Sequence, residues 1–205
     1  MGGDRIAIVT KMIGKVQHIR GNGSGQSLKK GHIIESGDIL KTGKGGFVAI
    51  LFIDDKTALK VKENSEIIIE GKRSAQAIAK EINLNGGTIR AQVNKQKKGD
   101  FIVRTSVSVA SVKGTDFWLI SNDAGDSLIG LEGIVEFSNL ISGQSIDITS
   151  GKSGISTSDG SVQTFKTDPK TIPEDPSDTD SGTQKLEIEF KNATGKKKTL
   201  IMEYN

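Results

Sequence analysis

Apolar and polar positions alternate along most of this chain in runs of four to eight residues, each closed by Gly, Asp, Asn or Ser. That is the period of a half-buried β-strand and not of a helix. Ile6–Val9 and Met12–Ile19 read as the first strands. Gly21-Asn22-Gly23-Ser24-Gly25 reads as a loop, and Ser36-Gly37-Asp38 as a turn between Ile33-Ile34 and Ile39-Leu40. Phe47–Ile53 reads as a buried strand, turned by Asp54-Asp55-Lys56-Thr57 into Ala58–Lys62, with Ile67–Glu70 closed by Gly71. Ser74–Lys80 fits either period, and its Ala75, Ala77 and Ala79 alternation favours a strand.

The pattern continues through Glu81–Leu84, Thr88–Val93 and Phe101–Thr105, with turns at Asn85-Gly86-Gly87 and Lys98-Gly99-Asp100. Val107, Val109 and Val112 suggest one buried face. Phe117–Ser121 and Leu128–Leu131 flank a hairpin turn at Asp123-Ala124-Gly125-Asp126. Ile134–Phe137 and Ser145–Thr149 close the body near Gly151.

The texture then changes. All three prolines, Pro169, Pro173 and Pro176, fall among Ser, Thr and Asp after Ser156. Such a segment buries too little apolar area to offset its chain entropy. The expected organisation is a β domain over 1–160, a Pro/Asp/Ser/Thr-rich linker over 161–184 and a β-hairpin over 185–205, turned at Asn192-Ala193-Thr194-Gly195. The expected fold class is all-β: a twisted β-solenoid or sandwich-like stack of short strands with a C-terminal β-hairpin.

Composition sharpens this picture. With 205 residues the chain can bury a core without staples. It has 25 Gly, 3 Pro and only 4% aromatics, which suits tight turns between aliphatic strands. It has no Cys, which excludes disulfides and thiolate metal sites. The net charge is +3, with acidic residues clustered late and the earlier part somewhat more basic, which is too little for a nucleic-acid claim. No apolar run approaches a membrane-spanning helix. Met1-Gly2-Gly3 reads as an engineered start in place of a leader, and Ile6 stands where a myristoylation signal wants Ser or Thr.

Candidate chemistry is sparse. His18 and His32, with Glu35 or Asp38, could assemble a metal site, but a glycine loop separates them without ligand spacing. They read as surface or strand-edge histidines. No G-x-S-x-G elbow lies between a strand and a helix, and Gly21–Gly25 lacks the dinucleotide-loop setting. Gly151-Lys152-Ser153 would need a glycine at Ile146 to make a phosphate loop. Asp178-Thr179-Asp180-Ser181-Gly182 lacks the closing Glu of a calcium loop. Lys95, Lys97, Lys98 and Lys196–Lys198 have no interleaved aromatics and read as solvated turn residues. Catalytic, cofactor and metal residues are therefore all expected to be none.

Glycine signatures carry the remaining signal. Gly14-Lys15-Val16, Gly37-Asp38 with Thr42-Gly43, Leu51–Thr57 and Asn64-Ser65 come first. Gly86-Gly87, Phe101–Thr105, Gly114-Thr115-Asp116-Phe117, Glu132-Gly133-Ile134-Val135 and Gly151-Lys152 follow. In this order, over roughly 12–160, the chain resembles the FecR domain family. The resemblance implies an all-β body outside the cytoplasmic membrane, periplasmic or at the cell surface.

Full regulators of that family carry a helical sigma-binding segment and a membrane span before this domain. Neither precedes Gly14 here, and Leu186–Asn205 is shorter than their last domain. The expected motif residues are Gly37, Asp38, Thr42, Gly43, Gly114, Thr115, Phe117, Glu132 and Gly133. Glycines there can take positive φ or admit a close backbone approach, Asp38 can cap turn amides, and Phe117 supplies core area. Their plain reading is architectural.

The expected function is that of a non-enzymatic extracytoplasmic module without cofactor. It would bind a protein, peptide or glycan through a strand edge or sheet face. The alternatives are the sensor fragment of a transmembrane sigma-factor regulator, or a structural module of a larger surface protein.

Overall fold

A computed structural model describes residues 4–74, 77–95, 100–177, 184–191 and 197–204. By internal contacts the chain divides into two units, Met1–Pro173 and Glu174–Asn205.

The first unit runs β1 (Arg5–Ile13), β2 (Val16–Ile19), β3 (Gln26–Ser27), β4 (Ile33–Glu35), β5 (Asp38–Thr42) and β6 (Phe47–Phe52). It continues with β7 (Ala58–Val61), β8 (Glu66–Arg73), β9 (Ile78–Leu84), β10 (Gly87–Gln92), β11 (Phe101–Arg104) and β12 (Ser108–Val112). It ends with β13 (Asp116–Asn122), β14 (Gly125–Glu132), β15 (Ile134–Asn139), β16 (Ser145–Thr149), β17 (Lys152–Ser156), β18 (Val162–Lys166) and a 3-10 turn, Pro169–Thr171.

These strands form two nine-stranded sheets. The first has the order β18-β17-β14-β13-β10-β7-β6-β1-β4, the second β16-β15-β12-β11-β9-β8-β5-β2-β3. Past the head pairs, each order follows the sequence. Hairpins β6–β7, β8–β9, β11–β12, β13–β14, β15–β16 and β17–β18 alternate between the sheets, so the chain climbs one axis as a two-layer stack. From β6 onward only β10 crosses singly, returning the chain to the second sheet. That is why β9 and β11, which neighbour each other in the second sheet, run parallel (Phe101↔Lys80, Val103↔Ile82), whereas the other pairs among the described strands are antiparallel. The all-β, sandwich-like stack expected from the alternation is the fold.

One apolar core lies between the layers. Ile6, Ile50, Phe52 and Leu59 of the first sheet meet Leu40, Ile69, Ile82 and Phe101 of the second. Phe52 and Phe101 pack edge to face, with centroids 6.1 Å apart.

Local differences from the alternation have physical causes. β1 is one strand with a bulge between Val9 and Lys11, and it breaks at Gly14 instead. Gly14 has φ +62°, and a Cβ there would lie 2.5 Å from Gly45 O. Gly71 does not close β8. It lets the strand pass Ile6, whose Cγ2 a Cβ would meet at 2.7 Å. In β12 the buried face is Ser108, Ala110 and Val112, and Val109 points the other way. Thr105 Oγ1 accepts from the amides of Val107 and Ser108, which fixes that phase at the turn.

The expected body limit at residue 160 falls inside the stack. β17 and β18 pair from Lys152↔Lys166 to Ser156↔Val162. The linker expected over 161–184 thus opens on a paired strand. Its part 178–183, with the Asp178–Gly182 sequence, lies outside the described residues. So do Met1-Gly2-Gly3, Ala75, Lys97, Lys98, Gly99, the Asn192–Gly195 turn and Lys196.

In the second unit β19 (Gln184–Lys191) and β20 (Lys197–Tyr204) pair antiparallel, from Gln184↔Tyr204 to Lys191↔Lys197. No helix among the described residues is long and apolar enough to cross a membrane.

Candidate functional site

The motif residues fall in three places along the first unit. At the head, Gly37 takes φ +90° in open surroundings and turns β4 into β5. Asp38 follows, fully buried. Arg20 grips it with Nε to Oδ1 at 2.8 Å and Nη2 to Oδ2 at 2.7 Å, and the Glu35 amide donates to Oδ2 at 2.8 Å. Burial pushes the Asp38 carboxyl up. The hydrogen bonds from Arg20 and Glu35, with His18 alongside, outweigh it and hold the group below the usual carboxylate range. The Asp38 hydrogen bond in turn raises the Arg20 guanidinium.

His18 is buried and not a surface residue. Its Nε2 lies 2.9 Å from Asp38 Oδ2, an ion-pair distance, but off the angle of a hydrogen bond. The His32 ring stands edge-on to it, centroids 4.6 Å apart. Among the described residues no three His, Cys, Asp or Glu side chains form a group that could hold a metal.

In the middle, Thr42 Oγ1 donates to Lys62 O at 2.5 Å and accepts from Ser65 N at 2.9 Å. Ser65 Oγ accepts from Thr88 N across the layers. A Cβ on Gly87 would lie 2.2 Å from that Oγ. Gly43 has neither a positive φ nor a crowded Cβ position, its nearest neighbour being Lys15 at 3.8 Å. The close approach belongs to Gly46, where a Cβ would lie 2.6 Å from Lys15 O.

Further along, Gly114 (φ +87°) passes Lys95, whose Cα a Cβ would meet at 3.0 Å. Thr115 O accepts from Val93 N. Asp116 takes Arg90 Nε and Nη2 at 2.9 and 2.7 Å, and Gln92 Nε2 at 3.1 Å. Phe117 drops into the core. The register slips between them, Asp116 facing Glu132 and Phe117 facing Gly130. Gly133 takes φ +78°, and a Cβ there would lie 2.7 Å from Thr115 Cγ2; Glu132 is exposed. All these contacts join neighbouring strands or layers.

Sequence reasoning missed Lys80. Its side chain is fully buried, with Nζ 2.9 Å from Asp54 Oδ2, 2.8 Å from Asp55 Oδ2 and 5.3 Å from the Phe52 ring centroid. The signal was present: Lys80 occupies a core-facing step of Ile78–Lys80–Ile82–Leu84.

Also missed was a groove on the outer face of the second sheet. Two clefts of about 450 and 470 Å³ share Asp100 and Ile102. Their floor is one cross-strand row: Glu70↔Glu81, Glu81↔Ile102, Ile102↔Ser111, Ser111↔Glu136 and Glu136↔Asp147. Six strands at about 4.8 Å spacing make it about 24 Å long. Two like-charged pairs stand directly opposite each other, an arrangement that costs stability. Arg104 Nε, 2.7 Å from Glu81 Oε1, offsets part of that charge, and Lys72 and Lys113 also line the clefts.

Residues 38–136 match the family model described as FecR protein. The match runs from Asp38 of β5 to Glu136 of β15, a little under half of the chain. Two crystal structures of a candidate anti-sigma factor from Parabacteroides distasonis ATCC 8503 are similar in fold, with TM-scores of 0.53 and 0.54 at 15% identity. The matches cover 64% of this chain and 61% of that one, so the chain spans about three fifths of the relative's length. At that identity the likeness concerns the fold alone. No protein with a curated description matches the chain.

Proposed function

We propose that this chain is a non-enzymatic sensing module, held outside the cytoplasmic membrane, of a sigma-factor control protein. It receives its signal by docking a partner on the outer face of the second sheet. The FecR match and the fold likeness to a candidate anti-sigma factor support the regulator part. The groove carries the docking part, because its row of Glu70, Glu81, Glu136 and Asp147 is poorly explained by stability. An extended segment bearing Lys or Arg would relieve both like-charged pairs at once. On this reading the motif residues hold the stack in register and the groove meets the partner. A glycan would find no exposed aromatic platform in the clefts' lining, so a basic protein or peptide is the better fit.

The test is genetic. Deleting the gene in its own cell defines the transcripts under its control. Glu70→Lys with Glu136→Lys should reproduce that transcript change while the protein accumulates normally. A deletion that alters no coherent transcript set contradicts the regulator. A silent double variant contradicts the groove.

A further inference from the structure

The head of the stack combines an under-covered strand with a histidine pair. β1 is nine residues long, yet β4 covers its outer edge with three, Glu35, Ile34 and Ile33 facing Arg5, Ala7 and Ile8. Three main-chain bonds extend this cover: Val9 N donates to His32 O at 2.9 Å and Gly31 N to Val9 O at 2.8 Å, and at the other end Ser36 N donates to Asp4 O at 2.9 Å, so the uncovered part of β1 lies beyond Val9. Whatever moves His32 therefore loosens β4.

His32 is half-buried. It faces the buried His18 of β2, Arg20 just beyond β2, Glu35 of β4 and Asp38 of β5. β1 meets it through the Val9 main chain, and Lys29 and Lys30 precede it in the same loop. The Nε2 atoms of both histidines and Glu35 Oε2 are buried without a hydrogen-bond partner. Asp38 is engaged by Arg20 and the Glu35 amide, and Glu35 Oε1 by Arg20 at 3.1 Å. A proton added to His32 thus brings a new cation against Arg20, with Asp38 and Glu35 Oε1 already committed and Glu35 Oε2 alone open to it. Burial first, then the charges of His18 and Arg20, hold His32 below the usual imidazole value. Turning the ring out to solvent relieves the charge, and any backbone shift that accompanies the turn loosens the His32 carbonyl from Val9.

We propose that His18 and His32 form a proton-operated latch on β4, and that acidification uncovers the outer edge of β1 for an added extended peptide strand. The fit is specific. Ile34 is fully buried, so an incoming strand must supply an apolar residue at that step, between residues that face outward.

The test uses the full chain and one probe, a synthetic peptide copying residues 28–37. Amide exchange, corrected for intrinsic rates, is compared at about pH 5 and about pH 7.5. Protection over residues 31–36 should fall roughly tenfold more than in β13–β14 at the lower pH. The peptide should then protect β1 amides at the lower pH alone. His32→Gln should keep β4 protected at both. Equal loss at both ends of the stack, loss unchanged in His32→Gln, or an opened β4 with no peptide protection of β1 would each overturn the proposal. If His32→Gln fails to fold, the wild-type His32 ring titration by NMR decides. Its midpoint must coincide with the loss of β4 protection, and a separate midpoint overturns the latch.

Discussion

Lys80 and Asp54 form an ion pair across the layers, Nζ to Oδ2 at 2.9 Å, with the lysine side chain wholly out of solvent and the carboxylate at its rim. Asp54 also accepts the Ile78 amide at 3.0 Å, so the pair ties the β6–β7 turn to the start of β9. Lys80→Ala should cost about 3 kcal/mol, by opening a cavity beside Phe52 and stranding Asp54 and Asp55. Lys80→Met keeps the stem but strands the same carboxylates, so it should cost less than Lys80→Ala by the cavity contribution alone. Urea midpoints compare the two. Equal losses would show that the charge matters more than the packing.

The motif glycines should not behave alike. Gly114→Val should destabilise by roughly 2 kcal/mol or more, through strain at φ +87° and a clash with Lys95. Gly37→Ala, strained but uncrowded, should cost about 1 kcal/mol. Gly43→Ala should stay within about 0.5 kcal/mol of wild type. A large loss at Gly43 in thermal melts would contradict the geometry.

That contrast marks what the sequence could reveal. Turn positions were legible because turn chemistry is local: Asn122↔Gly125 closes the hairpin at Asp123-Ala124 as the residues suggest. Gly43 was misread because a glycine in a motif does not announce its φ. Gly71 and Val109 were misread because close approach to Ile6 and strand phase at Thr105 depend on another strand. The groove was invisible, since Glu70, Glu81, Glu136 and Asp147 become neighbours only through strand order.

Acid should act in two stages. His32 titrates below the ordinary imidazole value, so stability present above about pH 6.5 should decline as pH falls below it, where the unfolded chain takes up a proton first. Asp38 and Asp54 have lowered folded values, so their contribution holds above about pH 4 and is lost as pH falls through those values. His32→Gln should remove the first stage alone and Asp54→Asn should weaken the second, read as urea midpoint against pH. A single stage unaffected by either change would contradict both assignments.

Limited proteolysis should cut first within residues 174–184, leaving a product that ends near Pro173. The paired β18 protects the chain up to Lys166, and the Ser, Asp and Pro beyond it offer little apolar area to bury. First cuts inside Val162–Lys166 would move the boundary back.

The most direct measurement for the docking face is site-specific photocrosslinking in the parent cell. A photoreactive residue at Ile102, in the groove floor, should give one discrete protein adduct. The adduct should weaken with added salt and vanish with Glu70→Lys and Glu136→Lys. The same residue at Ile120, on β13 of the other sheet, should give none. Adducts of equal yield from both positions, or an Ile102 adduct that survives the charge reversal, would contradict the groove as the partner-docking face.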